Sequence, residues 1–331
     1  MKPLIVSNYR LLGELCQETP HYKHELISDN LKPWRLLWLA RDADAVVLDN
    51  GYAYLISFCF LKILTPFWRF KLMFVDFNLY VPASFLARLA AVFKVVALKQ
   101  VDHFAQLFKD TEGYQRYFGI DPKRNSYLPF KVNGWESGLD KYVADPCEGS
   151  YAICVGRTYR DHRTFIEAMR ICGLPGVLLV PEGGPESSYD LPPNVKLEIH
   201  SDGNSKTFIN WIKGAAVVVI PRFANAISPN GISTYLTAMA AHRCVVLTRG
   251  PGAEDLLRGE ALLVCPEQPM CMADTVEMAW NDLDLRKSVA MKGRKYAEQM
   301  QGERRYMADL LQIIDDQFFN EEVLDKHLRD G

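Results

Sequence analysis

Short apolar runs alternate with longer amphipathic segments along most of the chain. Runs of about five apolar residues predict buried strands, and apolar residues at spacings of three and four predict helices. The alternation of the two predicts βα units around parallel sheets. The strands predicted in the first half are Pro3–Ser7, Ala45–Asp49, Lys71–Asp76, His103–Phe108 and Ser126–Phe130. The helices predicted there include Ala83–Gln100 and Thr111–Phe118, with Gly119 ending the latter.

The pattern fades between Lys131 and Gly149, where polar sequence with Gly and Pro predicts the crossover between two domains. A second series of strands follows: Tyr151–Val155, Val177–Pro181, Val195–Ile199, Ala216–Ile220, Cys244–Thr248 and Ala261–Val264. The helices predicted between them are His162–Ile171, Ser205–Lys213, Gly231–Ala241 and Met272–Trp280. From Leu285 onward the chain predicts helix throughout. The predicted fold is α/β, with two doubly wound parallel sheets.

Length and composition agree with this fold. A chain of 331 residues is long for one core, and 38 Lys and Arg against 40 Asp and Glu argue against nucleic acid as a partner. We predict neither a secretory signal nor a membrane-spanning helix, because Lys62, Pro66 and Arg69 interrupt the most apolar stretch. Eight cysteines without a CxxC pair favour free thiols and a cytoplasmic location.

The loop after the strand Tyr151–Val155 is the first candidate for a binding site. It carries Gly156, Arg157, Arg160, His162 and Arg163 directly before or at the start of a predicted helix. Free backbone N–H groups and the helix dipole favour an anion there, and the cations would hold a pyrophosphate. The alternative is a solvated basic loop paired with nearby carboxylates.

The loop FANAISPNG, residues 223–231, is the second candidate. It is rich in Asn, Ser, Pro and Gly directly before the helix Gly231–Ala241, so backbone N–H groups can approach a ligand closely. The alternative is an ordinary connection in which Ser228 or Asn230 caps the helix.

A third loop, Gly250–Glu254, follows the strand Cys244–Thr248. It places Glu254 at a strand end, although Glu254 also fits the role of a first-turn helix carboxylate. Since carboxyl ends of parallel strands share one edge, we expect the three loops to lie together.

These segments, in this order and spacing, resemble the retaining GT-B glycosyltransferases of glycosyltransferase family 4. The resemblance is strongest from Tyr151 to about Met300. It rests on YAICVGRTYRDHRTFIEAM, VLLVPEGGPE, NVKLEI with FINWIKGAAVVVIPR, and GISTYLTAMAAHRCVVLTRGPGAEDLLRGEALLVCPE. A weaker similarity covers VDHFAQLF and YFGIDPKRNSYLPFKVN.

The resemblance implies two Rossmann-like domains facing a central cleft. It implies an N-terminal acceptor-binding domain over residues 1–140, a nucleotide-sugar-binding domain over 150–300, and a helix in 301–331 that packs back on the first domain. The implied reaction transfers a sugar from a nucleoside-diphosphate sugar to a saccharide or lipid-linked acceptor with retention of configuration. No cofactor or metal is expected, because no Asp-x-Asp pair sits beside a strand end.

Carried over by position, Arg157 would contact the donor diphosphate, and Glu254 matches the family's turn glutamate. Asp76 or Asn78 lies nearest to the family's N-domain histidine, which makes Asp76 a catalytic candidate. The other implied substrate-binding residues are Gly156, His162, Arg163, Arg222, Asn230, Gly231, Ile232, Ser233 and Thr237.

Pro229 and Thr237 align with the family's two glutamates. This departure supports a second hypothesis, a glycosyltransferase-like module that binds a nucleotide or partner without turnover. A GT-B sugar-nucleotide epimerase is a third.

Residues 67–71 and the predicted helix Ala83–Gln100 mix apolar, aromatic and basic side chains. Such a mixture suits peripheral contact with an anionic membrane at its inner face, and the alternative is a core helix with solvated lysines.

Overall fold

The computed structural model describes residues 2–19, 21–27, 33–49, 52–156, 159–184, 188–200, 205–229 and 231–320. The chain forms two compact units. One consists of Met1–Pro129 with Arg304–Gly331, and the other of Phe130–Glu303. Each unit contains a six-stranded parallel sheet.

The sheet of the first unit has the strand order β2-β1-β3-β4-β5-β6. Its strands are β1 (Leu4–Ser7), β2 (Lys23–Leu26), β3 (Ala45–Asp49), β4 (Lys71–Val75), β5 (His103–Gln106) and β6 (Asn125–Tyr127). Five of them overlap the predicted strands. The sequence pattern missed β2, because this edge strand reads KHEL and is largely exposed.

The helices of this unit are α1 (Arg10–Glu18), α2 (Pro33–Asp42), α3 (Tyr52–Leu64), α4 (Phe85–Leu98), α5 (Glu112–Phe118) and, after the second unit, α11 (Glu303–Ile314). The left-handed C-cap predicted at Gly119 is present, with φ of 64°. Right-handed crossovers place α2, α3, α4 and α5 on one face of the sheet, where each contacts the next.

The sheet of the second unit has the order β12-β11-β10-β7-β8-β9. Its strands are β7 (Ala152–Val155), β8 (Gly176–Pro181), β9 (Val195–His200), β10 (Val217–Ile220), β11 (Cys244–Thr248) and β12 (Leu262–Val264). Its helices are α6 (His162–Cys172), α7 (Ser205–Gly214), α8 (Ile232–Ala240), α9 (Pro269–Asn281) and α10 (Leu283–Met300). The strands β7, β10 and β11 are buried along their whole length, as expected for central parallel strands with helices on both faces.

The segment predicted as the interdomain crossover, residues 131–149, belongs to the second unit. Two buried arginines bind this segment to the second unit through hydrogen bonds. Arg243 donates to the carbonyls of Asp145 and Glu148, and Arg294 donates to those of Leu139 and Asp140. Because these bonds join residues about 100 to 150 positions apart, the local polarity of the segment gave no sign of them.

The prediction of unbroken helix from Leu285 is wrong at one point. Gln301 has φ of 51° and separates α10 from α11. A π-helical turn at Asp315–Phe319 follows α11, and residues 321–331 lie outside the described part.

Candidate functional site

Three loops leave neighbouring strands at one edge of the second sheet. The strands β11, β10 and β7 are adjacent and parallel, so the loops that follow them share the carboxyl edge. Ligands of open α/β sheets bind outside this edge. The substrate-binding residues that the sequence predicts lie in these loops and in the helices α6 and α8 that follow two of them.

The loop between β7 and α6 folds around Arg160. Gly156 has φ of 112°, and a Cβ there would lie 2.9 Å from the Arg160 guanidinium, so glycine is needed. Asp161 caps α6 by accepting a hydrogen bond of 3.1 Å from the Thr164 N–H. The Arg160 side chain is buried and donates to the Val155 carbonyl and the Thr234 hydroxyl, each at 3.2 Å. Arg160 therefore joins the end of β7 to the first turn of α8.

Arg222 joins the next two loops. Its guanidinium donates to the carbonyl of Ser228 at 2.6 Å and to that of Pro251 at 2.9 Å. Its backbone N–H donates to the Thr248 hydroxyl at 3.1 Å, and its backbone pairs with that of Arg160. The Arg222 side chain is 2% exposed, so this contact network lies beneath the loops.

Both buried arginines carry positive charge at neutral pH. Burial lowers the pKa of Arg160 to about 10. Burial, with the charge of Arg160 adding to it, lowers the pKa of Arg222 to about 10. The Arg222 Nε has no hydrogen-bond partner among the described residues. Two like charges held together under one edge cost free energy, and an anion bound above them would offset it.

The N-terminus of α8 adds backbone donors to the same edge. The helix begins at Ile232, after Gly231 with φ of 109°. Within the described part of the chain, no side chain caps its first turn. A Cβ at Gly231 would lie 3.1 Å from Ile220 Cγ2 and 3.4 Å from an Arg160 nitrogen. The backbone thus comes close to the Arg160 guanidinium, and the uncapped N–H groups suit an anionic ligand.

The first loop's other predicted residues take different positions. His162 is buried, with Nε2 3.3 Å from the Gly156 carbonyl oxygen. Arg163 is exposed, and its guanidinium lies 5.5 Å from the Tyr189 ring centroid. Arg157 lies outside the described residues. The role that the resemblance implies for Arg157 stays a prediction.

On and after α8, Ile232 is buried and Ser233 half-buried. Thr237 is 1% exposed, and its hydroxyl donates to the Ser233 carbonyl at 2.7 Å. Glu254 is exposed and pairs with Arg249 at 3.1 Å. Asn230 lies outside the described residues. In this arrangement the Thr237 hydroxyl already has an acceptor inside its own helix.

The sequence predicts Arg160 as one of several cations in its loop that would hold a pyrophosphate, but not that its side chain is buried. The available signal was the spacing of Arg157, Arg160 and Arg163 before a helix, which does not tell which guanidinium turns inward. The contact that decides it is Thr234, 74 positions away along the chain.

A second cluster lies at the carboxyl edge of the first sheet, where Asp49 ends β3 and Asp76 follows β4. Asp76 is half-buried and has φ of 44°. Burial, with the Asp49 charge adding to it, raises the pKa of Asp76 to about 7. Beside this carboxylate pair lie Tyr9 and, from α11, Tyr306; burial and these neighbours raise the pKa of Tyr9 well above its usual value. The cluster can therefore hold or release a proton at Asp76 near neutral pH.

The described residues contain no group of three or more His, Cys, Asp or Glu placed to hold a metal ion. All eight cysteines are described and free, as predicted. The described helices include none with the length and apolar character needed to cross a bilayer.

The sequence matches neither a protein-family model nor a curated protein. Its structure is similar to solved ones. HepE of Anabaena in complex with UDP has a TM-score of 0.68 at 14% identity, over 95% of this chain and 100% of that one. Sucrose-phosphate synthase of Thermosynechococcus elongatus has a TM-score of 0.66 at 16% identity, over 96% of this chain and 99% of that one. A glycosyltransferase from Rickettsia africae has a TM-score of 0.65 at 13% identity, over 96% of this chain and 91% of that one. The chain thus has the two-domain GT-B fold, which confirms the predicted architecture.

Proposed function

We propose that this protein is a glycosyltransferase that binds a nucleoside-diphosphate sugar at the carboxyl edge of its second sheet. The observation that carries the proposal is the buried pair Arg160 and Arg222 beneath three converging loops and the N-terminus of α8. A diphosphate is the ligand class that such fixed positive charge and backbone donors suit best. HepE, which shares the fold, has been solved in complex with UDP-glucose, so this donor is the first to test.

In this proposal the arginine pair and the α8 N-terminus stabilise the charge that develops on the diphosphate as it leaves. Their positions are fixed before the donor arrives, so little reorganisation is needed during reaction. The roles of Gly156, Gly231 and Ser233 are to let backbone groups approach the donor, while Arg163 and Glu254 lie at the rim.

The first unit would select the acceptor, a saccharide or a lipid-linked molecule. In the retaining reaction that we propose, the bond from the anomeric carbon to the diphosphate breaks while the acceptor oxygen bonds to that carbon on the same face. The acceptor proton passes to the leaving phosphate oxygen. Asp76 would hydrogen-bond the acceptor hydroxyl and orient it, and a pKa of about 7 leaves its carboxyl able to donate or accept.

A second candidate function is nucleotide binding without turnover. It is supported by Thr237, which replaces a family glutamate and whose hydroxyl is committed to the Ser233 carbonyl. Binding of nucleotide sugars with no transfer or hydrolysis, over a broad acceptor panel, would favour it.

The experiment compares the affinities of UDP-glucose and other nucleotide sugars, measured by calorimetry, in Arg222→Met and Arg243→Met. Both arginines are 2% exposed and donate to two backbone carbonyls. Only Arg222 lies at the carboxyl edge, whereas Arg243 precedes β11 at its amino end.

We expect Arg222→Met to weaken donor binding about tenfold or more, the effect of one charge-assisted contact. Arg243→Met should lower stability and leave affinity within about twofold.

Equal losses of affinity in the two variants would show that Arg222 acts only through folding. If no nucleotide sugar binds wild type, the proposed function is wrong. Binding followed by transfer of label to an acceptor supports the enzyme, and the configuration of the product tests retention.

A further inference from the structure

Helix α4 presents an apolar stripe to solvent. Its outer residues are between 51% and 81% exposed, namely Phe85, Leu86, Leu89, Val92, Phe93 and Val96. At about 100° per residue these positions fall within a stripe roughly 120° wide. The two residues of α4 that are buried, Ala91 and Leu98, lie on the opposite side. The helix is therefore apolar both where it packs on the sheet and where it meets water.

Helix α3, which contacts α4, continues this surface. Ile56, Phe60, Ile63 and Leu64 recur at helical spacing and are between 44% and 72% exposed. Phe67, in the loop after α3, is 74% exposed. Scattered apolar side chains are ordinary on protein surfaces, whereas a contiguous stripe over two neighbouring helices marks an interaction site.

The charge of the segment that carries this surface is strongly one-sided. Between Tyr52 and Gln100 the chain has six Lys and Arg but a single acidic residue, Asp76, whereas the whole protein has a net charge of −2. Lys62 pairs with Asp102. The other five basic residues are exposed and have no carboxylate partner in the part of the chain that the structure describes: Arg69, Lys71, Arg88, Lys94 and Lys99.

The apolar surface and the unpaired cations together favour an anionic membrane over a second copy of the chain as the binding partner. A second copy of the chain docked through the same surface would bring the unpaired cations of both copies together, which disfavours association. An anionic bilayer offers acyl chains to the apolar stripe and phosphate groups to the cations beside it. At 13 and 14 residues, α3 and α4 are about 20 Å long, which suits helices lying in the plane of the interface.

We propose that the outer surface of α3 and α4 docks this protein on an anionic membrane, with the apolar stripe at the boundary between headgroups and acyl chains. Docking in this way needs no nucleotide and no catalysis. It would hold the first unit, the proposed acceptor-binding unit, against a lipid-linked acceptor.

The experiment is flotation of the full-length protein with two sets of vesicles, one of phosphatidylcholine alone and one with about one-third phosphatidylglycerol. We expect at least tenfold stronger partitioning onto the anionic set. The doubly substituted Leu89→Glu, Phe93→Glu protein should lose at least tenfold of this partitioning, because both side chains would insert. Both residues are largely exposed, so the fold should persist, as circular dichroism and the melting temperature can show.

The matched control is Met291→Glu, an apolar residue on α10 that is 56% exposed in the second unit. It should partition like wild type. Replacing Arg88 and Lys94 with Gln should weaken binding to anionic vesicles and abolish most of the dependence on phosphatidylglycerol.

Equal binding of wild type to both vesicle sets overturns the proposal, as does equal binding of wild type and the doubly substituted Leu89→Glu, Phe93→Glu protein. So does a dimer in solution that Phe93→Glu dissociates while vesicle binding is absent. Since nucleotide affinity is measured separately, failure here leaves the proposed donor site untouched.

Discussion

The carboxyl edges of the two sheets carry ionisable groups of opposite sign. In the second unit, the edge holds Arg160 and Arg222 beneath three loops. In the first unit, it holds Asp76 beside Asp49. Both edges follow from the same βα topology, in which parallel strands deliver their loops to one side. The fold provides the place, and the side chains on the loops decide what each place can bind.

Burial favours the neutral form of the ionisable groups at both edges, but with different results. It moves the pKa of each arginine down to about 10, which leaves the charge in place at neutral pH. It moves the pKa of Asp76 up to about 7, which puts the proton of that carboxyl within reach of ordinary pH changes. The second unit therefore holds positive charge that persists at neutral pH, whereas the first holds a carboxyl group whose charge varies with pH.

The largest effect that we predict concerns the loops above the arginine pair. Gly252 has φ of 77°, and a Cβ there would lie 2.5 Å from Pro229 Cβ. Gly252→Ala should therefore cost about 3 kcal/mol of unfolding free energy, from the clash and the left-handed backbone together. Urea denaturation measures this loss, and calorimetry should show weaker nucleotide binding because the loops after β10 and β11 are forced apart.

The control for this substitution is Gly173→Ala. Gly173 also has a positive φ, 68°, but no described atom lies within 4 Å of its added Cβ. This change should cost about 1 kcal/mol, the effect of backbone conformation alone, without altering affinity. If the two variants lose the same free energy, the close packing of the loops at Pro229 is not what fixes the site.

The next effect is a dependence of stability on pH at the other edge. Because the folded-state pKa of Asp76 is raised from 3.8 to about 7, the folded protein holds this proton more tightly than the unfolded chain. Wild type should therefore lose stability as pH rises through this window. Asp76→Asn removes the titration and keeps a residue that tolerates positive φ. Relative to wild type, it should gain about 2 kcal/mol between roughly pH 5 and pH 8, a value reduced for partial exposure.

Urea denaturation at the two pH values gives the difference directly. Asp274→Asn, at an exposed position of α9, serves as the control and should change stability equally at both. An Asp76→Asn variant that parallels wild type across this range would contradict the raised pKa and remove the contrast between the two edges.

Apart from the edge strand β2, the strands of both sheets could be predicted from the sequence, most clearly where a whole strand is a run of buried apolar residues. The runs AICV, VVVI and CVVLT of β7, β10 and β11 are apolar throughout, as strands covered on both faces must be. The edge strand β2 carries no such signal. Helix α4 shows a related limit: FLARLAAVFKVVAL is apolar on nearly all sides, so its sequence alone cannot show which side the sheet covers.

The sequence could predict the position of the candidate site but not the contacts within it. The order of strands and loops places it at the carboxyl edge of the second sheet. The inward turn of Arg160 depends on Thr234, and that of Arg222 on carbonyls of two separate loops. Such contacts between distant segments leave no local pattern. The hydrogen bond from the Thr237 hydroxyl to the Ser233 carbonyl within α8 is likewise not visible in the sequence pattern, and the substrate-binding role of Thr237 stays a prediction.

The smallest effect that we predict is on nucleotide affinity, and it distinguishes the exposed charge of Arg163 from the buried charges of Arg160 and Arg222. Arg163 lies at the start of α6, exposed over the Tyr189 ring. As a rim charge it should attract a diphosphate from a distance, so Arg163→Ala should weaken nucleotide binding only about threefold at low salt and not at all at high salt. Arg170→Ala is the control, because Arg170 on the same helix is already paired with Glu167 and Asp190. A tenfold loss that persists at high salt would mean that Arg163 contacts the ligand directly. The anion site would then extend from the buried pair onto the surface of α6.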